Sequence, residues 1–294
     1  MQNAKLFFNE VLAPHTSWRI GGPANQYFCP QTNADVSALL RTLPADEQLF
    51  WLGLGSNVLI RDGGFPGTVI HTLKMQAKIQ ILSQDTDGLM INVDAGVPCA
   101  KIAKFAAKHF VVGAEFFAGI PGTMGGALAM NAGAFGSETW QHVIAVDVIN
   151  RQGEIIRRTA SDYVVGYRTV VGPSDEWFLG AQLKFVSGDQ QQANLRIKEL
   201  LKRRNDTQPI GLPSCGSVFR NPEGKYAAEL IEASKLKGIR VGDAEVSAKH
   251  ANFIINTGAA TARDVETLIQ QVQAKVWQDH AVELCPEVRF IGIQ

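Results

Sequence analysis

The sequence predicts an α+β or α/β chain of two domains, or three if one is small, and three observations predict it. Apolar residues at helical spacing, Val36, Leu39, Leu40 and Leu43, precede a short apolar run, Leu49-Phe-Trp-Leu52, that ends in the glycine turn Gly53-Leu-Gly55. A helix, a buried-looking strand and a glycine turn in that order are the parts of a layered fold with its turn at the strand's carboxyl end. After the apolar run Ala181 to Val186, the segment from Asp189 to Arg204 becomes polar and charged, with Leu195, Leu200 and Leu201 inside it. A helix starting a second unit fits that shift, so the boundary is placed near Ser187-Gly188, with domains 1–188 and 189–294. The chain's 294 residues, 46% of them hydrophobic, are enough to bury a core in each.

The remaining elements follow from period and punctuation. Leu89 to Ala95 reads as a strand, Ala100 to Lys108 as a helix with Ile102, Phe105 and Ala106 on one face, and Val143 to Ile149 as another strand. Thr261 and Asp264 have the spacing of a capping box, in which side chains satisfy the free amides of a helix start. Val265, Leu268, Ile269, Val272 and Val276 continue that helix at core-facing intervals. There is no internal repeat and no low-complexity segment.

Lys plus Arg and Asp plus Glu each number 28, so the whole-chain charge offers no field for nucleic acid or anionic lipid. Any anionic ligand must be met by local groups. Cys29, Cys99, Cys215 and Cys285 form no Cys-x-x-Cys pair, which argues against a structural zinc site or a disulfide framework and for reduced cytosolic thiols. The start of the chain, with Glu10 close behind Leu6-Phe-Phe8, has no secretory signal pattern, and no apolar run approaches the ~20 residues of a membrane span. The expectation is a cytoplasmic protein, without metal, with the monomer favoured.

Three segments point to chemistry. Gly53-Leu-Gly-Ser-Asn-Val58 after a strand offers backbone amides without side-chain obstruction, as close approach of a diphosphate requires; a tight turn needing positive φ is the plain structural alternative. Gly119-Ile-Pro-Gly-Thr123, Gly125-Gly126 and Asn131-Ala-Gly-Ala134 concentrate small residues in an apolar region, which weakens a fold unless backbone must approach something closely. Close helix-sheet packing is the alternative there. The dinucleotide fingerprint Gly-x-Gly-x-x-Gly is absent, so a flavin bound outside a Rossmann fold is the better inference. The third segment, Leu212-Pro-Ser-Cys-Gly-Ser-Val-Phe-Arg-Asn-Pro222, sets Ser217 between a glycine and an apolar pair, with Arg220 and Asn221 just beyond. A turn or cap serine is the ordinary reading of such a residue.

Taken together, in this order and at these spacings, the segments resemble the UDP-N-acetylenolpyruvoylglucosamine reductase family over nearly the whole chain, about Thr16 to Gly292. Thr16-Ser-Trp-Arg-Ile-Gly-Gly22 is similar to the family's opening motif, with His15 where many members have asparagine. The resemblance implies an α+β protein: a vanillyl-alcohol-oxidase (PCMH-type) FAD-binding fold with a C-terminal α+β substrate-binding domain. It implies FAD as cofactor, held by Gly53, Leu54, Gly55, Ser56, Asn57 and Val58 and by Gly119, Ile120, Pro121, Gly122, Thr123, Gly125, Gly126, Asn131, Ala132, Gly133 and Ala134.

The implied reaction is the NADPH-dependent reduction of UDP-GlcNAc-enolpyruvate to UDP-N-acetylmuramate for peptidoglycan synthesis. Arg168, in the pair Tyr167-Arg168, carries over as the residue that binds and polarises the substrate carboxylate, which suits a planar bidentate donor. Ser217 carries over as the general acid, and Glu287, in Pro286-Glu-Val-Arg289, as the carboxyl that acts with the arginine on the enolate-like intermediate. Taken alone, Arg168 reads as a surface or salt-bridged group and Glu287 as an ion-pair partner of Arg289. Arg203, Arg220, Asn221 and Asn252 fit family patterns for substrate contacts. The short connection from Thr169 to Gly180 resembles the family's second type, which lacks a tyrosine-loop insertion. Two other readings share the glycine segments: a flavin oxidase, with covalent attachment at His71 or His109, and a non-catalytic flavin or nucleotide-sugar binding protein.

Overall fold

The computed structural model describes residues 4–294, which form two compact units, each assembled from three stretches of chain. The first unit comprises the described part of Met1–Leu6, Tyr27–Gly53 and Val69–Arg203; the second comprises Phe7–Gln26, Leu54–Thr68 and Arg204–Gln294.

In the first unit the alternation of Leu89, Ile91 and Val93 makes Gly88–Asp94 a strand with one dry face. It pairs antiparallel with Glu176–Ser187, and Leu89, Ile91 and Val93 stand opposite Phe185, Leu183 and Ala181. On its other side Glu176–Ser187 pairs with Val143–Asn150, which in turn pairs with Ile155–Thr159; Ile79–Gln84 closes the far edge beside Gly88–Asp94. The apolar run Ala181 to Val186 marks only the middle of a 12-residue strand, because Glu176 and Trp177 are carried into the sheet by pairing with Asn150 and Ile149. Cross-strand hydrogen bonds extend it where composition gave no signal.

Helix Cys99–Lys108 lays Cys99, Ile102, Ala103, Ala106 and Ala107 on this core, with Phe105 half-buried at its margin. Burial pushes the Cys99 thiol up to about 12, so it stays protonated and behaves as a small apolar group. Helix Asn33–Leu40 is capped by the reciprocal Thr32–Asp35 box and buries Val36, Leu39 and Leu40 in a satellite cluster with Phe28, Ile70, Ile149 and Leu179. It stops before Leu43, which packs against the same cluster from the following turn.

Sequence reasoning found no helix at Met124–Ala129, since two consecutive glycines disfavour one. Its first amides are satisfied from outside: Met124 N–H donates to Val97 O and Gly125 N–H to Ala95 O, both at 2.9 Å. A Cβ at Gly125 would lie 3.0 Å from Ala95 Cβ, so close packing accounts for that glycine.

The second unit is built on helix Ala262–His280, whose Ala262, Val265, Leu268, Ile269, Val272 and Val276 are buried, as their spacing predicts. The Thr261–Asp264 capping box is present, and Asp62 adds a cap from far along the chain: its two carboxylate oxygens accept from Ala262 N–H at 2.9 Å and Arg263 N–H at 3.1 Å. Arg61 beside it donates to Glu266 from Nε at 2.8 Å. The meander Arg240–Val241, Ala244–Val246 and Ile254–Asn256 covers the helix, and Arg289–Ile291 pairs parallel with Val58–Ile60. Trp18, with no exposed surface, donates its indole N–H to Ile254 O at 2.7 Å and accepts at its own carbonyl from Asn256 Nδ2 at 3.0 Å.

Among the described residues no helix is long and apolar enough to cross a membrane, and no group of three or more His, Cys, Asp or Glu could hold a metal ion. Because Asp62 serves two otherwise orphaned helix amides, Asp62→Ala is expected to lower unfolding stability by about 1–2 kcal/mol in urea titration; an unchanged midpoint would rule out the cap as a stabilising contact.

Candidate active site

Gly53 ends strand Leu49–Leu52, and a Cβ there would lie 2.6 Å from Thr123 Oγ1. Only glycine allows the strand end this close to the second glycine segment. Gly119 is equally constrained, since a Cβ would meet the Phe135 ring at 2.5 Å. Gly126 differs: although exposed in the middle of a helix, it would place a Cβ against nothing within 4 Å. Alanine would stabilise that helix by about 1 kcal/mol without a clash among the described residues, so packing within the chain does not account for the glycine.

The segment 131–134 is fastened inward. Asn131 is 2% exposed, and its Nδ2 donates to Glu138 Oε2 at 2.8 Å and to Gly166 O at 3.1 Å, while Oδ1 accepts from Trp140 N–H at 3.1 Å. Its side chain is therefore occupied in shaping the loop. The carbonyls of the same loop hold Arg168: Nη1 donates to Asn131 O at 3.4 Å and Nη2 to Gly133 O at 3.2 Å. Arg168 sits in the two-residue turn between strands Val164–Gly166 and Thr169–Val171, at φ 54°, and its guanidinium lies 5.2 Å from the Tyr167 ring centre. A non-glycine residue in the left-handed region costs about 1 kcal/mol or more, which the two carbonyl contacts of Arg168 help to offset. Sequence reasoning gave no spatial relation between Arg168 and the second glycine segment; the structure joins the two through these carbonyls.

In the second unit Gly55 has φ +69°, and a Cβ would lie 2.5 Å from His15 O. Ser17 holds the Gly55 carbonyl with both N–H, at 3.0 Å, and Oγ, at 3.1 Å. The N–H groups of Leu54, Gly55 and Asn57 donate to no acceptor among the described residues, an arrangement suited to an anion. Asn57 reaches Glu287: its Nδ2 donates to Glu287 O at 3.3 Å, and its carbonyl accepts from Arg289 N–H at 3.1 Å.

Ser217 and Glu287 belong to neighbouring extended segments. Glu287 N–H donates to Val218 O at 2.7 Å, Arg220 N–H donates to Cys285 O at 2.9 Å, and Phe219 bridges to Pro286. On the other side Asn252, 3% exposed, clamps Phe219 with both side-chain atoms, Oδ1 accepting its N–H at 2.9 Å and Nδ2 donating to its carbonyl at 2.8 Å. Asn252 O accepts Val218 N–H at 2.9 Å. Gly216, at φ +82°, supplies the bend into this ladder. Ser217 is half-buried, and its hydroxyl has no partner among the described residues. Burial, and next the Glu287 carboxylate, hold the Cys215 thiol well above its ordinary range, which leaves Cys215 an inert neighbour.

Of the residues expected to touch substrate, Arg220 lies on the Ser217 ladder, and Asn221 turns Oδ1 to Ala227 N–H at 3.1 Å, at the start of helix Ala227–Ala233. Arg203 is exposed near the end of helix Gln190–Thr207. The backbone clamp by Asn252 and the Asn57–Glu287 bond escaped sequence reasoning, because each joins positions far apart in the chain. His71, considered as a covalent flavin anchor, is buried with both ring nitrogens engaged, and His109 packs at a tilt against Phe105 with ring centres 4.5 Å apart.

An α+β fold with an open glycine position and unclaimed loop amides suits a nucleotide cofactor, and the match of residues 24–159 to the family model described as FAD binding domain makes the class a flavoprotein. Residues 208–291 match UDP-N-acetylenolpyruvoylglucosamine reductase, C-terminal domain. The chain is 53% identical to the reductase of that name from Alkalilimnicola ehrlichii, over 99% of this chain and 96% of the relative. It is 53% identical to the one from Methylococcus capsulatus, over 97% and 92%. The crystal structure of the Thermus caldophilus reductase superposes with a TM-score of 0.80 at 29% identity, covering 98% of this chain and 99% of that one. The chain belongs to the UDP-N-acetylenolpyruvoylglucosamine reductase family.

Two substitutions separate fold from site. Gly126→Ala is expected to keep or slightly raise the unfolding midpoint while weakening FAD retention, read by flavin absorbance after gel filtration; full retention would mean the open position is not kept for the cofactor. Asn252→Ala leaves two buried backbone groups of Phe219 unpaired, so a loss of about 2–4 kcal/mol is expected in chemical unfolding.

Proposed function

We infer that this chain reduces UDP-GlcNAc-enolpyruvate to UDP-N-acetylmuramate with NADPH through FAD, a step of peptidoglycan precursor synthesis. The observation that carries this reading is 53% identity to a named reductase over 99% of the chain, and the unpartnered Ser217 hydroxyl supports it. FAD, which residues 53–58, 119–126 and 131–134 would hold, would supply the hydride chemistry that links NADPH to the enolpyruvyl double bond.

The chain's own residues then handle charge and proton. Arg168, presented by a fixed loop, binds the substrate carboxylate and favours the negative charge that spreads into it as the double bond is reduced. Glu287 acts with it on that charge. Ser217 gives its hydroxyl proton to the carbon next to the carboxylate; a weak acid suffices because a carbanion-like centre is strongly basic. That no described residue takes up the Ser217 hydroxyl supports this role, and the Asn252 clamp supports its fixed direction. Arg203 and Arg220 are assigned to the substrate diphosphate or carboxylate, with Asn221 beside them; Asn252, expected to touch substrate, is instead buried with both side-chain polar atoms on the Phe219 backbone, and it acts by holding the Ser217 segment.

Residues 53–58 are assigned to the FAD diphosphate, and 119–126 with 131–134 to the flavin. A functional division near residue 188 is supported by the two family matches, 24–159 and 208–291; segments 7–26 and 54–68 belong to the second compact unit, so residues 54–58 serve its packing as well as the cofactor. The four-residue link between Val171 and Glu176 accords with the type lacking the tyrosine loop. A cytoplasmic monomer without nucleic-acid partners completes the reading.

The decisive experiment follows the flavin band anaerobically. In Ser217→Ala, NADPH is expected to bleach the band as in the parent, while return of colour with the enolpyruvyl substrate slows about 100-fold or more. Equal rates in that second phase would remove Ser217 from the chemistry. Arg168→Ala is expected to lose turnover by about two orders of magnitude, measured at saturating NADPH.

A further inference from the structure

His71 and Tyr27 are each 2% exposed, and their polar atoms form a chain that ends on Gly53. His71 Nε2 lies 3.0 Å from Gly53 O. A carbonyl oxygen can only accept, so Nε2 carries the proton and donates. In a neutral ring Nδ1 is then a bare lone pair, and the Tyr27 hydroxyl donates to it. The next residue, Thr72, donates from Oγ1 to Leu52 O at 3.2 Å. Consecutive side chains thus draw two consecutive carbonyls at the end of strand Leu49–Leu52 into the interior.

A trans peptide directs its C=O and N–H oppositely. Fixing the Gly53 carbonyl on His71 therefore turns the Leu54 N–H away from the imidazole, and no described acceptor in the chain takes that N–H. Gly53 itself has no side chain to steer the peptide, and Thr123 Oγ1, 2.6 Å from where a Cβ would stand, forbids one. The orientation of this donor is delegated to His71.

We propose that Tyr27 and His71 form a positioning pair for the cofactor: Tyr27 holds the imidazole in its Nε2–H form, and His71 holds the Gly53–Leu54 peptide so that Leu54 N–H is aimed at the FAD diphosphate. This rests on the assignment of residues 53–58 to that diphosphate. The pair touches no reacting atom; it acts through one amide.

The test is the rate at which diluted holoenzyme releases FAD, followed by recovery of flavin fluorescence. His71→Leu is expected to release FAD about tenfold faster, the equivalent of one hydrogen bond of ordinary strength. His71→Gln, whose amide N–H can still reach the carbonyl, is expected to restore most of the difference. A merely structural histidine would show no such rescue, and equal release from His71→Leu and His71→Gln would overturn the proposal. Should His71→Leu fail to fold, Tyr27→Phe carries the test: faster release supports the pair, and parental release overturns it. Leu54→Pro, which deletes the N–H itself, separates the two levels. Faster release from Leu54→Pro with parental release from His71→Leu rejects the pair alone, whereas parental release from both rejects the diphosphate assignment as well.

Discussion

Val218 gives its N–H to Asn252 O and takes the Glu287 N–H on its carbonyl, while the Asn252 side chain closes on both polar groups of Phe219. The segment carrying Ser217 belongs to no regular strand, so its backbone amides and carbonyls have no automatic partners. Each one left unpaired in the interior costs about 1–3 kcal/mol. Distant residues supply the partners, and the same bonds set the register between the serine and the glutamate. The stability of the second unit and the placement of Ser217 and Glu287 are therefore one constraint.

The first unit solves the same problem with glycine. Gly53 and Gly119 permit contacts that any side chain would block, and Gly125 lets a short helix sit on Ala95. Backbone drawn this close brings its polar groups with it, and neighbours answer them: His71 for Gly53, Val97 and Ala95 for the helix start, Arg168 for Asn131 and Gly133. Gly126 differs from these three glycines, because no described neighbour would meet a Cβ there. Small residues whose smallness the protein does not use are where a ligand leaves its trace in an unliganded chain.

Much of this was legible in the residues. The core helix from Ala262 was readable from its cap and five apolar positions, since capping and periodicity are local properties. The strand at Gly88–Asp94 was readable from alternation. The full length of Glu176–Ser187 was not, because its first residues are held by pairing with Val143–Asn150 rather than by composition. The helix at Met124–Ala129 was hidden for a related reason: its amides are satisfied by Val97 and Ala95, and propensity scales carry no term for that.

By itself the sequence determined the class of fold and singled out the glycine segments at 53–58 and 119–134, because spacing within short segments is a linear property; Arg168, Ser217 and Glu287 were singled out by the family resemblance of the motifs around them. Only the tertiary structure decided that Asp62 caps a helix starting at Ala262, that Trp18 is held between Ile254 and Asn256, and that Asn57 and Asn252 fix the segments of Glu287 and Ser217. These contacts join residues separated by tens to hundreds of positions, as |i−j| of 33 for Asn252 and 230 for Asn57 illustrates. Their cause is the need to pair buried polar groups, which acts through space and leaves no periodicity along the chain.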